Sequence, residues 1–185
     1  MRLARLTRLV LLPLLVAGLL LSGCGPTSEA AASRASGGAT SVVATDANCP
    51  TSTTEAFPKA RFALNVGLAA GVFHRWLWKP YQAGTFASGS AGRTTALVKA
   101  GVASAFVAKQ VSDAVDNVKH DPTLCGILLA PLTELSDALG GLKGKVSAGN
   151  FSSLTTIEGL LTTVMGKSQE HGLPITEQTD ESLVG

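Results

Sequence analysis

Apolar residues recur at helical spacing along much of the chain. Leu128, Leu132, Leu135, Leu139, Leu142 and Val146 alternate four and three residues apart, a seam that faces a partner helix. Leu154, Ile157, Leu161 and Val164 repeat at three, four and three. Residues 96–108 are apolar nearly all round apart from Lys99 and Ser104, which predicts the most buried helix of the set. No stretch alternates apolar and polar residues over a useful strand length.

Start and stop signals divide this pattern into four helices. The first is predicted over residues 55–79, capped by Thr53 or Thr54 and ended ahead of Pro80. The second is predicted over 92–120. Asp121-Pro122 closes it and opens the third, with the aspartate as N-cap and the proline at the first helical position. The third reaches residue 143 and is expected to kink at Pro131. The fourth runs from a cap at Asn150 to residue 171, where Gly172 and Pro174 end it. Residues 49–171 are thus expected to form an all-α, up-down four-helix bundle, followed by a disordered acidic tail over 172–185. Gly67 and Gly71 carry the small-xxx-small spacing that permits close helix approach, here expected against Gly101 and Ala105. The apolar run 63–73 around them is too short to span a membrane.

The N-terminus follows another pattern. Arg2, Arg5 and Arg8 precede an apolar run over 9–21, and Leu21-Ser22-Gly23-Cys24 follows. This resembles the lipobox of bacterial lipoproteins. The resemblance implies that residues 1–23 are a signal peptide and that cleavage precedes Cys24. It further implies diacylglycerol on the Cys24 thiol and a fatty acyl chain such as palmitate on the new amine. Membrane lipid is then the first partner, and the protein is expected on the extracytoplasmic face of the cell membrane, since two or three acyl chains anchor stably. An ordinary secretory signal has no use for a cysteine at that point. Residues 24–48 are the acylated cysteine and a linker rich in Gly, Ser, Ala and Thr, with a root-mean-square reach of roughly 25–30 Å.

Processing changes the charge balance. The whole chain carries +2, but losing three arginines with the signal leaves twelve basic residues against thirteen acidic ones. A near-neutral mature protein gives no support for nucleic-acid binding, which needs a net basic footprint. An apolar content of 45% with only 15% charged residues is enough for a packed core.

Cys49 and Cys125 remain after Cys24 is acylated. Thiols outside the cytoplasm tend to pair, and the topology agrees. One cysteine precedes the first helix and the other lies in the first turn of the third, so an up-down bundle puts both at one end. A bond needs Cα atoms within about 7 Å. No C-x-x-C is present, so a structural bond is favoured over a redox site.

Candidate chemistry is sparse. His74, His120 and His171 fall near helix C-termini, where the helix dipole favours a cation. His74 is expected at the far end and the other two at the tether end, roughly 37 Å apart, so they share no metal. Asp116 and His120 are four apart and suited to pair. Gly166-Lys167-Ser168 lacks the first glycine of a phosphate loop and ends a helix instead of starting one. No catalytic residue, metal ligand or cofactor is assigned.

One segment stands apart. Five of the nine aromatic residues fall within positions 73–86. Arg75, Trp76, Trp78, Lys79, Tyr81, Arg93, Lys143 and Lys145 are predicted to share one basic, aromatic tip. Asp113, Asp116, Asp121, Glu170, Glu177, Asp180 and Glu181 would gather at the tether end. The tryptophans suit first a plug of the core end, with the other reading a surface for an anionic or sugar-containing envelope polymer or an envelope protein. The segment is similar to stretches of uncharacterised secreted helical proteins of high-GC Gram-positive bacteria, which implies no activity. The leading reading is a membrane-tethered, non-enzymatic binding or structural module. The alternative is a small enzyme or accessory subunit whose site forms only in the tertiary fold.

Overall fold

The computed structural model describes residues 49–179. The expected signal peptide over residues 1–23, Cys24, the expected linker up to residue 48 and the acids Asp180 and Glu181 lie outside the described residues. Within them the regular structure is all helical: α1 (Pro58–Phe73), a π turn (His74–Trp78), α2 (Lys79–Gln82), α3 (Arg93–Val118), α4 (Pro122–Leu139), α5 (Leu142–Ser147) and α6 (Leu154–Glu170). Consecutive long helices pack on one another: α1 on α3, α3 on α4 and α5, and α4 on α6. The predicted leucine seam and the α6 repeat are both buried, joined by Phe62, Phe73 and Leu77 from the first helix. Each such side chain taken from water contributes about 1.5–3 kcal/mol.

The disulfide forms as the topology required. Cys49 and Cys125 are bonded with Cα atoms 5.6 Å apart, worth on the order of 4 kcal/mol in the chain-entropy account. Beside it, Asp121 caps α4 as predicted, accepting from the backbone N–H groups of Thr123 and Leu124 at 3.0 Å each. Lys59 approaches the same buried carboxylate at 3.9 Å. α4 continues through Pro131, and the α4–α5 stretch breaks only at Gly140 and Gly141, where Gly141 has φ 74°. Pro122–Ser147 is apolar enough by length and composition to cross a membrane. Its seam is used here in packing.

The first helix departs from its prediction at both ends. It begins at Pro58, not residue 55, because a proline disfavours helical backbone in the residue before it. Phe57, the residue before it, sits in the left-handed region with φ 58°. Thr54 caps nothing. Its N–H donates to the His120 carbonyl at 3.0 Å, and its hydroxyl meets His120 Nδ1 at 2.8 Å, tying the chain start to the end of α3. At the other end, helical backbone runs past Pro80 to Gln82. A regular helix would force the Pro80 ring against the Trp76 carbonyl. The wider π turn just before it, in which Lys79 N–H reaches back to the His74 carbonyl, accommodates the ring.

α3 is not buried all round. Val98 and Val102 are 65% and 49% exposed, because α1, α4 and α5 leave that stripe uncovered. At the start of α6, Asn150 accepts from Ser152 N–H in a turn, and the helix proper begins at Leu154.

The largest correction concerns the chain end. Residues 172–179, expected to be disordered, turn back at Gly172 (φ 75°) and run as an extended strap along the first helix. Ser168 holds the turn, its hydroxyl donating to the Leu173 carbonyl at 2.6 Å. Gln178 N–H donates to the Gly67 carbonyl at 2.9 Å. A Cβ on Gly67 or Gly71 would collide with the backbone carbonyls of Thr176 and Gln178, whereas one on Gly101 would meet nothing. The small-residue face therefore receives the strap, not α3.

Candidate functional site

The strap brings together three groups that are far apart in sequence. His74 Nε2 lies 2.7 Å from Glu158 on α6, and its Nδ1 lies 2.9 Å from Glu177 on the strap. Both ring nitrogens can donate only when the ring is protonated. Burial works against that charge, but the hydrogen bonds and charges of Glu177 and Glu158 outweigh it and hold the His74 pKa above its usual 6.5. Glu177 is thus removed from the acidic tether end where the sequence placed it. His120 does not pair with Asp116 either. Its Nε2 lies 3.3 Å from Glu55, while Asp116 takes Lys119 at 3.3 Å, because Thr54 draws the start of the chain over the imidazole. His171 is exposed at the end of α6.

The predicted tip resolves into three places. In the first, Trp78, Tyr81, Phe151 and Phe86 form a continuous aromatic row. Trp78 stacks on Phe73, five residues earlier, with centroids 6.4 Å apart and planes at 18°. Tyr81 lies 5.8 Å from Trp78 and 6.3 Å from Phe151, and Phe151 stacks on Phe86 at 4.5 Å. Arg93 is committed to this row, donating through Nε to the Phe86 carbonyl at 2.9 Å. Phe151, far away in sequence, had no periodic pattern to announce it.

In the second place, Trp76 leaves the row. Arg75 lies over its ring at 5.3 Å and Lys99 at 4.7 Å. Trp76 walls an open cavity of about 470 Å³ with Pro80, Thr85, Gly92, Thr95 and Lys99. Lys99, read from the sequence as an interruption of an apolar run, belongs to this site. Lys79 is exposed nearby in the chain.

In the third, Lys143 borders the exposed α3 stripe with Val98, Gly101 and Val102. Lys145 is exposed on the same short helix. By helical phase, the positions facing Lys143 (94, 98 and 101) and those facing Trp76 (95 and 99) lie on different sides of α3. Trp76 and Lys143 therefore line different cavities.

Among the described residues, no group of three or more His, Cys, Asp and Glu is arranged to hold a metal ion. The aromatic row is a packed end of the core, while the Trp76 cavity combines an apolar wall, two hydroxyls and a cation, a set suited to holding a ligand. No family model matches the chain, and neither a curated protein nor a solved structure matches it.

Proposed function

We propose that the protein is a lipid-anchored module of the cell envelope, held at the extracytoplasmic face through acylated Cys24. On this reading its aromatic end binds an anionic or sugar-bearing envelope component and catalyses nothing. The observation that carries the placement is the Cys49–Cys125 bond. Such bonds persist where thiols are not kept reduced, and the lipobox-like Leu21-Ser22-Gly23-Cys24 points to the same compartment from independent residues. Support for binding comes from the open cavity beside Trp76 and the exposed lysines at the same end.

The placement is tested in cells with Cys24→Ala. The variant is expected to remain unprocessed and unlabelled by fatty acid. A shortened, acyl-labelled product from that variant would sink the lipoprotein reading. Binding is tested by cosedimentation of the protein with purified envelope across a salt series, since exposed charges are screened beyond about 8 Å at physiological ionic strength. The expected outcome is capture that weakens as salt rises.

A further inference from the structure

We propose that the cavity between the π turn and the start of α3 binds a phosphate group carried on a sugar or glycerol unit. This rests on the reading that this end of the protein binds an envelope component, and it names the site and the chemistry. Three observations converge on the cavity. Lys99 reaches it half-buried, 4.7 Å from the Trp76 ring, and pairs with no carboxylate among the described residues. A lysine ammonium is a compact charge suited to phosphate.

The second observation concerns the backbone. The cavity is walled by Gly92, Thr95 and Ala96, the first turn of the 26-residue α3. That helix has no side-chain cap, and the N–H of Thr95 finds no acceptor among the described residues. The unsatisfied N–H and the helix dipole both favour an anion there.

The third is the wall itself. Trp76, Pro80, Ala91 and Ala96 offer apolar surface, and the Thr85 and Thr95 side chains stand among them. A bare phosphate would leave most of about 470 Å³ unfilled. A polyol fits, with C–H groups against the apolar wall and hydroxyls toward the threonines.

The chain has only two tryptophans, so Trp78→Phe leaves Trp76 as the sole source of tryptophan emission. The full chain in detergent is titrated with glucose 1-phosphate, glucose and inorganic phosphate, and separately with phosphatidylcholine vesicles with and without phosphatidylglycerol. The wild-type chain is run in parallel in case Trp78→Phe folds poorly. Glucose 1-phosphate is expected to shift Trp76 emission saturably, with inorganic phosphate at least tenfold weaker and glucose silent. Lys99→Gln should weaken the response at least tenfold, and Lys99→Arg should retain it. A Lys99-dependent shift from phosphatidylglycerol vesicles alone would place the phosphate on a lipid head and support the same site. No Trp76 shift in any arm, or a shift unchanged by Lys99→Gln, overturns the proposal. If phosphatidylglycerol vesicles still capture more chain than phosphatidylcholine vesicles, and Lys143→Glu with Lys145→Glu abolishes that difference, only the cavity assignment fails. If the two vesicles capture equally and no sugar phosphate is bound, the envelope-binding reading fails with it.

Discussion

The first helix is met in opposite ways on two of its faces. One face, Gly67, Gly71 and His74, is closed by the strap, whose backbone lies against both glycines and whose Glu177 grips the histidine. The other, presented by Trp76 about two and a half turns beyond Gly67, stays open over a cavity. Closure needs an extended chain that can approach a helix without side chains in the way, and the two glycines provide that path. The open face has the reverse composition. The π turn carries Trp76 out of the row formed by Trp78, and the 83–92 loop, with positive φ at Gly84, Gly89 and Gly92, passes beside it without filling it. A small-residue face therefore says where a helix can be approached closely, and nothing about which segment arrives.

The strongest test sets the two tryptophans against each other. Trp78 stacks on Phe73 and leads the aromatic row, so Trp78→Ala is expected to cost about 3 kcal/mol, the lower end for a large aromatic because the ring is half-buried. Trp76 already borders open space, so Trp76→Ala should cost about 1–2 kcal/mol, its contacts on one side being absent. Urea unfolding of the two variants measures both. Equal losses would mean that the cavity wall is core and that the contrast is false.

The closed face is tested next by Gly71→Ala. The new methyl meets the Gln178 backbone, which cannot move aside as a flexible side-chain tip would. The strap should lift, exposing the partly buried Leu173 and Ile175. Alanine's better helix propensity returns up to about 1 kcal/mol, so the net loss is expected at about 1–2 kcal/mol. Hydrogen exchange should show the Gln178 amide losing protection. Gly101→Ala is the control, since its methyl enters open space and should be neutral or stabilising. A protected Gln178 amide in Gly71→Ala would show that the strap does not need the groove.

What the sequence made legible was decided locally or by a few fixed constraints. The α4–α5 seam follows from spacing alone and stays in phase across Gly140 and Gly141. The Asp121-Pro122 cap is a two-residue signal, and the disulfide followed from placing two cysteines at one end. The strap was hidden because Gly172 and Pro174 read as the end of structure, and two apolar residues, Leu173 and Ile175, make no periodic signal. The π turn was hidden because Pro80 reads as a stop, and nothing in the sequence separates it from Pro131, which α4 carries without a π turn. His74, Glu158 and Glu177 meet only in three dimensions, the first two standing 84 positions apart. The tip was predicted as one surface because cations and aromatics cluster in sequence; helical phase on α3 then divides them.

The smallest effect expected on the closed face is its pH dependence. The His74 pKa is raised in the folded protein, so its contribution is fully present below about 6.5, the usual value, and is lost as pH rises through the folded one. Above that range the neutral ring can donate to only one of the two carboxylates. Glu158 and Glu177 side chains are 24% and 44% exposed, so solvent screens the interaction and keeps the effect modest. Thermal melts at pH 6 and pH 9 should show the wild-type chain losing more stability than Glu177→Gln. The substitution removes one charge that favours the imidazolium but leaves the strap backbone bonded to Gly67. His120 and His171 are present in both chains, so what they contribute cancels in the difference. The Gln178 amide should also exchange faster at pH 9 than its intrinsic rate predicts, reporting a looser strap. Identical melting slopes for the two chains would mean that the glycine path alone holds the strap and that His74 only occupies the space between two acids.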